Sequence, residues 1–256
     1  MKRNNVKEML RKGKVVLVPE INRIFSPKII EILGLLKYEC VWIDMEHSEL
    51  GLDQLSDMIL AARVADMDAI VRIGKGGYNS VIRPLELGAG GLVLPHCMCA
   101  DDAREFVRMA KFAPMGLRGM GAGRDSNYGL TRLNDYIRDA NKETLLAVMV
   151  EDREAIDTID EIAAVRGIDV LFIGPGDLSQ SYGVIGEPNH PLMRRAIDKV
   201  AAASKRHGKS WGLPVRTVKD MRKMVKKGAR FMDCVSEMDA LINGFRNVKE
   251  ASKIAH

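Results

Sequence analysis

Short apolar runs alternate with longer amphipathic ones along the chain, and this rhythm restricts the fold more than any other feature. Eight runs read as strands, at residues 15–18, 41–44, 69–73, 91–94, 145–150, 170–173, 210–214 and 231–235. Most are too short for helices and rich in Val, Ile and Leu, as strands of a parallel sheet buried on both faces should be. Helical patterns separate them at 27–36, 52–64, 80–87, 100–111, 153–165, 191–207, 218–227 and 238–254. Ser26 precedes Pro27 at one helix start, and Asp101 and Asp102 occupy a first turn at another. Eight such units in 256 residues predict an α/β fold, a closed TIM (β/α)8 barrel, with a doubly wound open sheet as the alternative. No linker, repeat or low-complexity tract divides residues 1–256, so a single domain is expected.

One stretch breaks the rhythm. Residues 112–129 carry five glycines and no periodicity. A loop this long, spanning about 113–130, tends to be a lid, an interface segment or disordered. The sequence leaves open whether it reaches the barrel mouth.

Composition excludes several classes. Hydrophobic residues make up 46% and charged residues 29%, as in a soluble globular protein. No apolar run reaches the ~18 residues of a membrane span. Residues 1–14 are basic and polar, without the apolar core of a secretory signal, so a cytoplasmic location is expected. Cys40, Cys97, Cys99 and Cys234 are scattered and read as free thiols, and the Cys97-Met98-Cys99 spacing does not suit a zinc knuckle. The net charge is +5, with basic and acidic residues mostly interleaved. The densest basic patch, 222–227, reads as a solvated helix face. With only 5% aromatic residues there is no stacking platform, so no nucleic-acid partner is expected.

Barrel enzymes place chemistry at the C-terminal ends of their strands. Here those ends carry Asp44-Met45-Glu46-His47-Ser48, Arg72, His96, Glu151 and Asp177. Five consecutive strand ends with charged or titratable groups are hard to explain by packing, because charges are rarely buried unpaired. Asp177 follows a Gly-Pro-Gly turn, where backbone approaches a small ligand closely and a helix can begin. Glu151 and Asp177 look like half of a site for a hard divalent cation, which favours oxygen donors; helix N-capping is their other reading. Arg72 needs an anionic partner, either substrate or one of Asp44 and Glu46. His47, beside two acids, is a candidate base. His96 reads as a loop histidine or a direct contact.

Together, Asp44-x-Glu46-His47, Val71-Arg72, Glu151 and Gly174-Pro175-x-Asp177-Leu178-Ser179 resemble the HpcH/HpaI aldolase/citrate lyase family. Within it they are similar to the metal-dependent pyruvate aldolases, over about residues 15–252. The resemblance implies a barrel of the phosphoenolpyruvate/pyruvate-binding type. It implies a class II aldehyde-lyase that reversibly cleaves a 4-hydroxy-2-oxo acid to pyruvate and an aldehyde. Glu151 and Asp177 match the ligands of a divalent metal, Mg²⁺ or Mn²⁺ with Co²⁺ also possible. Arg72 matches the arginine on the pyruvate keto oxygen, His47 the acid–base histidine, and the amides of Gly176 and Asp177 the carboxylate cradle. Glu86 stands where family aldolases often carry an aspartate paired with that histidine. Met149 stands where several carry glutamine, and Asp233-Cys234-Val235-Ser236-Glu237 replaces the expected last-strand turn.

The resemblance also implies a homo-oligomer, trimer or hexamer, with the last helix packed on a neighbouring subunit. The segment 119–129 is then a candidate to complete a neighbour's site. The expected partners are a small-molecule 2-oxo acid and an aldehyde. Three alternatives compete: a Schiff-base aldolase, which needs a lysine inside the barrel; a lyase acting on a CoA thioester of a 3-hydroxy acid; and a non-catalytic barrel that binds a 2-oxo acid.

Overall fold

The computed structural model describes residues 2–252. Eight parallel strands close into one barrel in sequence order: β1 (Val16–Ile21), β2 (Cys40–Asp44), β3 (Asp68–Arg72), β4 (Gly91–Leu94), β5 (Leu145–Val150), β6 (Val170–Ile173), β7 (Ser210–Gly212) and β8 (Phe231–Ser236). β8 pairs with β1, so no sheet edge is left open. The predicted helices form between the strands with ends shifted by a few residues. The pattern at 153–165 splits at Thr158, whose hydroxyl bonds to the carbonyls of Glu154 and Met98 and competes with the helix. The last helix runs Glu237–Ser252, and the expected extension to Ile254 lies outside the described residues.

Strand side chains alternate between two cores. Outward positions such as Val41, Ile43, Val71 and Leu92 pack beneath the helices. Inward positions such as Val18, Trp42, Ala147, Met149 and Phe172 fill the barrel. The Trp42 ring lies 5.0 Å from Phe172 and 6.3 Å from Phe231.

A short helix, Asn5–Arg11, lies within the basic and polar stretch 1–14 and floors the barrel. Val6 and Leu10 join the inner core, each burial stabilising by about 1.5–3 kcal/mol. The Asn4 side chain caps this helix by accepting from the Lys7 amide at 2.7 Å, and it donates to the Gly90 carbonyl at 2.7 Å. Asp68 accepts from the Val6 amide at 2.9 Å, and Lys7 donates to Asp169 at 2.9 Å.

β1 is longer than expected. The expected strand ends at residue 18, just before Pro19, which lacks an N–H. The structure instead shifts register between Val18 and Pro19 against β8 and continues to Ile21. That shift places Glu20 at the barrel mouth.

The glycine-rich segment lies on the outside of the barrel. Arg118 pairs with Asp125 at 2.5 Å, with both side chains buried, and the Tyr136 hydroxyl donates to Asp125 at 2.6 Å. The Arg118 guanidinium also sits 4.7 Å from the Phe112 ring centre. Tyr136 belongs to a helix, Leu133–Glu143, that the sequence reading missed. Arg124 anchors the segment's far end on the carbonyls of Ser56 and Leu87, each at 2.9 Å.

Candidate active site

A cavity of about 480 Å³ opens at the C-terminal ends of the strands. Arg72, Glu151, Gly176, Asp177 and His47 all line it, so five of the six predicted site residues meet there. No lysine is found among the described residues that line it, and the inner core holds none either. Lys75 instead donates to the His96 carbonyl at 3.0 Å. A Schiff-base route has no nucleophile in this cavity.

Asp44 is the partner of Arg72. It accepts from Nε at 2.7 Å and from Nη2 at 2.5 Å, a two-pronged grip that fixes the guanidinium plane. Glu46 and Glu20 stand 3.5 and 3.6 Å from the same guanidinium. Burial works against the Arg72 charge, but the hydrogen bonds and charge of Asp44, with Glu20 and Glu46, outweigh it and raise its pKa. Nη1 meets only the Met149 sulfur, at 3.9 Å, among the described residues. It is the donor left for a ligand.

Glu151 directly follows β5 and is buried. Its Oε1 accepts from the His96 amide at 2.8 Å. Burial raises its pKa to about 7; the His96 amide and charge oppose this, while Glu46 and Asp177 add to it. Gly174 makes room for the other oxygen, since a Cβ there would stand 2.2 Å from Oε2 of Glu151. Asp177 comes from the first turn of the helix Pro175–Ser181 that follows β6. A Cβ at Gly176 would meet nothing within 4 Å, so that backbone faces open space.

His96 adopts a left-handed backbone, with φ of 47°, which is uncommon outside glycine. That turn aims its amide at Glu151. Its Nδ1 lies 3.1 Å from Asp152. Burial opposes the imidazolium, but the Asp152 hydrogen bond and the charges of Glu151, Asp152 and Glu46 raise the pKa. His47 is half exposed, with Nε2 3.6 Å from Glu46.

Glu86 stands apart. It neither lines the cavity nor bonds to His47 among the described residues. The helix Tyr78–Glu86 starts at the catalytic end, and Glu86 is its last residue, roughly 12 Å further down at about 1.5 Å per residue. Its carboxylate faces the glycine-rich segment instead: a Cβ at Gly121 would stand 2.1 Å from Oε1. The expected pairing of Glu86 with His47 therefore does not form within one chain.

Among the lining residues that escaped the sequence reading of the site are four charged ones: Glu20, Arg23, Arg216 and Asp233. Burial, followed by the charge of Asp233, raises the Glu20 pKa to about 7. Arg216 donates to Oδ2 of Asp233 at 3.0 Å, while Oδ1 is buried without a partner among the described residues. Glu237 shapes the rim, accepting from the amides of Asn22, Arg23 and Ile24 at 2.6–3.2 Å. The start of the last helix, directly after β8, thus anchors the loop after β1.

The donor set suits a hard divalent cation. Glu151 is a buried carboxylate whose ionised form needs compensating charge, and Asp177 lines the same cavity. The described residues contain no cluster of three or more His, Cys, Asp or Glu placed to hold a metal. Two carboxylates with the other positions left to water and substrate oxygens fit Mg²⁺-like coordination rather than a closed structural zinc site.

A closed parallel barrel with its charged groups gathered at the strand ends is the architecture of a barrel enzyme. The chain belongs to the HpcH/HpaI aldolase/citrate lyase family, whose profile matches residues 23–244. It is 32% identical to the hydroxypyruvate/pyruvate aldolase of Roseobacter denitrificans over 220 residues, 85% of each chain. It is 28% identical to the 5-keto-4-deoxy-D-glucarate aldolase of Klebsiella pneumoniae over 228 residues, 89% of each. Its fold is similar to that of an HpcH/HpaI aldolase from Desulfitobacterium hafniense, with a TM-score of 0.92 and 28% identity, covering 98% of this chain and 97% of that one. As a member of this aldolase family it is a carbon–carbon lyase, and family aldolases depend on a divalent metal.

Proposed function

We propose that the cavity cleaves a 4-hydroxy-2-oxo acid reversibly to pyruvate and an aldehyde. One observation carries this reading: Glu151 and Asp177, on successive strand ends, share a cavity with an Arg72 whose Nη1 meets only the Met149 sulfur among the described residues. Glu151 and Asp177 would hold the cation, Mg²⁺ or Mn²⁺ with Co²⁺ a third candidate. When bound, that ion supplies Lewis acidity where the enolate charge develops. The amides of Gly176 and Asp177 receive the substrate carboxylate. Arg72 Nη1 donates to the 2-oxo oxygen, and Asp44 keeps its plane fixed while charge builds there. His47, oriented by Glu46, removes the 4-hydroxyl proton, directly or through water. The C3–C4 bond breaks, the aldehyde leaves, and a proton returned to C3 completes pyruvate.

The homo-oligomer expected from the resemblance finds support in the last helix, where Leu241, Ile242, Phe245 and Val248 are exposed. A neighbouring copy, in a trimer or hexamer, would cover them. A cytoplasmic location fits a chain in which no described helix is long and apolar enough to cross a membrane.

The deciding assay measures pyruvate release from a panel of 4-hydroxy-2-oxo acids by EDTA-treated protein, before and after Mg²⁺ or Mn²⁺ is restored. Metal-restored release supports the proposal, and the fastest substrate identifies the aldehyde class. No release from any member of the panel with metal bound would overturn it.

A further inference from the structure

A second cavity, of about 670 Å³, opens at the opposite end of the barrel, around the helix Asn5–Arg11 and the loops that lead into β6, β7 and β8. Its volume is in the range of small-molecule sites. Six basic residues line it: Lys7, Arg11, Lys111, Lys142, Lys209 and Arg230. Asp169 is the one carboxylate in the lining. This local excess matches the net charge of +5 carried by the whole chain, so the remaining residues are balanced.

Backbone carbonyls hold several of these cations in place. Lys111 Nζ donates to Asn141 at 2.9 Å and to Thr144 at 2.6 Å. Lys209 Nζ donates to Val165 at 3.0 Å and to Ile168 at 2.9 Å. Lys7 Nζ divides between the Thr144 carbonyl and Asp169. Capping loop carbonyls is a structural duty, but neutral carbonyls do not cancel charge. Each ammonium has three donors, and protein oxygens engage two. The Arg11 guanidinium makes no hydrogen bond among the described residues, and Arg230 leaves Nη2 unused. Lys142 has a carboxylate beside it, Glu143 at 3.2 Å. Burial and then the charge of Lys7 push the Lys111 pKa down to about 7, while the carboxylates of Asp169 and Glu143 oppose the shift.

We propose that this cavity binds a phosphate ester or anhydride bearing two or more negative charges. Its cations come from several elements and surround the space, which suits tetrahedral groups that present oxygens in several directions better than one planar carboxylate. Leu10 and Met115 in the wall leave an apolar surface for an organic portion. The site stands independently of the aldolase proposal, because it shares no residue with the strand-end cavity.

The test is calorimetric titration of pyrophosphate into the full, EDTA-treated chain, with inorganic phosphate and citrate titrated in parallel. One pyrophosphate per chain is expected, bound more tightly than citrate and more weakly as salt rises. Arg11→Ala/Lys142→Ala, which changes two surface side chains, should weaken binding about tenfold or more. In the unaltered protein, pyrophosphate should also shield Lys142 and Lys209 from amine modification read by mass spectrometry, a measurement that needs no variant. No saturable binding, equal affinity for citrate, unchanged affinity in the double variant, or no shielding would each overturn the proposal.

Discussion

Asp44 grips Arg72 with both carboxylate oxygens, at 2.7 and 2.5 Å, and leaves Nη1 as the donor beside Met149. The grip uses the fork of the guanidinium, which an ammonium cannot reproduce. Arg72→Lys should therefore keep the fold by circular dichroism and lower kcat/KM for pyruvate release by about 10²–10³-fold. Near-normal turnover in the folded variant would mean that Nη1 does not face the reacting oxygen.

Two neighbouring glycines give a paired test of the metal carboxylate. A methyl at Gly174 would stand 2.2 Å from Oε2 of Glu151, whereas one at Gly176 would meet nothing within 4 Å. Gly174→Ala should weaken Mn²⁺ binding about 10–100-fold by electron paramagnetic resonance titration. Gly176→Ala should leave it unchanged. Equal effects at the two positions would separate Glu151 from the metal.

Glu20 should make stability depend on pH. Its pKa is about 7 in the folded chain against an ordinary 4.5, so the native state binds more protons than the unfolded state between those values. Its contribution is fully present below about 4.5 and is lost as pH rises through about 7. Urea unfolding at pH 4.5–8 should show Glu20→Gln gaining on the parent protein across that window. A constant difference between the two would place the Glu20 pKa near its ordinary value.

The buried pair Arg118–Asp125 fastens the glycine-rich segment outside the barrel. Asp125→Ala leaves a buried guanidinium without its carboxylate and should cost about 3–5 kcal/mol in urea unfolding. Activity per folded molecule should persist, since neither residue lines the cavity at the strand ends. A loss of turnover without a loss of stability would reveal a catalytic duty for the segment.

Much of this site was legible because parallel strands end abruptly. At Arg72, Glu151 and Asp177 an apolar run gives way to charge, and the barrel places such residues at one rim. Glu20 was hidden by Pro19, which looks like a strand terminus until the shift against β8 is seen. Arg216, just after β7, and Asp233, within β8, meet across neighbouring strands, which no local pattern encodes. The left-handed turn at His96 is equally silent in a linear reading. Glu86 misled for the opposite reason: its place in the motif says nothing of how far down the helix it falls. The helices Asn5–Arg11 and Leu133–Glu143 were masked by their charged residues, although Val6 and Leu10, and Tyr136 and Ala140, repeat at helical spacing.

The floor helix also sets a timetable for the nascent polypeptide. Asn5–Arg11 leaves the ribosome before any strand of the barrel, yet the bond from Lys7 to Asp169 spans 162 residues of sequence. At about 5–20 residues per second, that anchor arrives roughly 8–32 s later. β1 waits longer still, because Val16 pairs with Phe231 of β8. The floor helix and β1 are thus made before the strands that secure them, and their apolar faces must stay shielded from other chains until β8 has emerged.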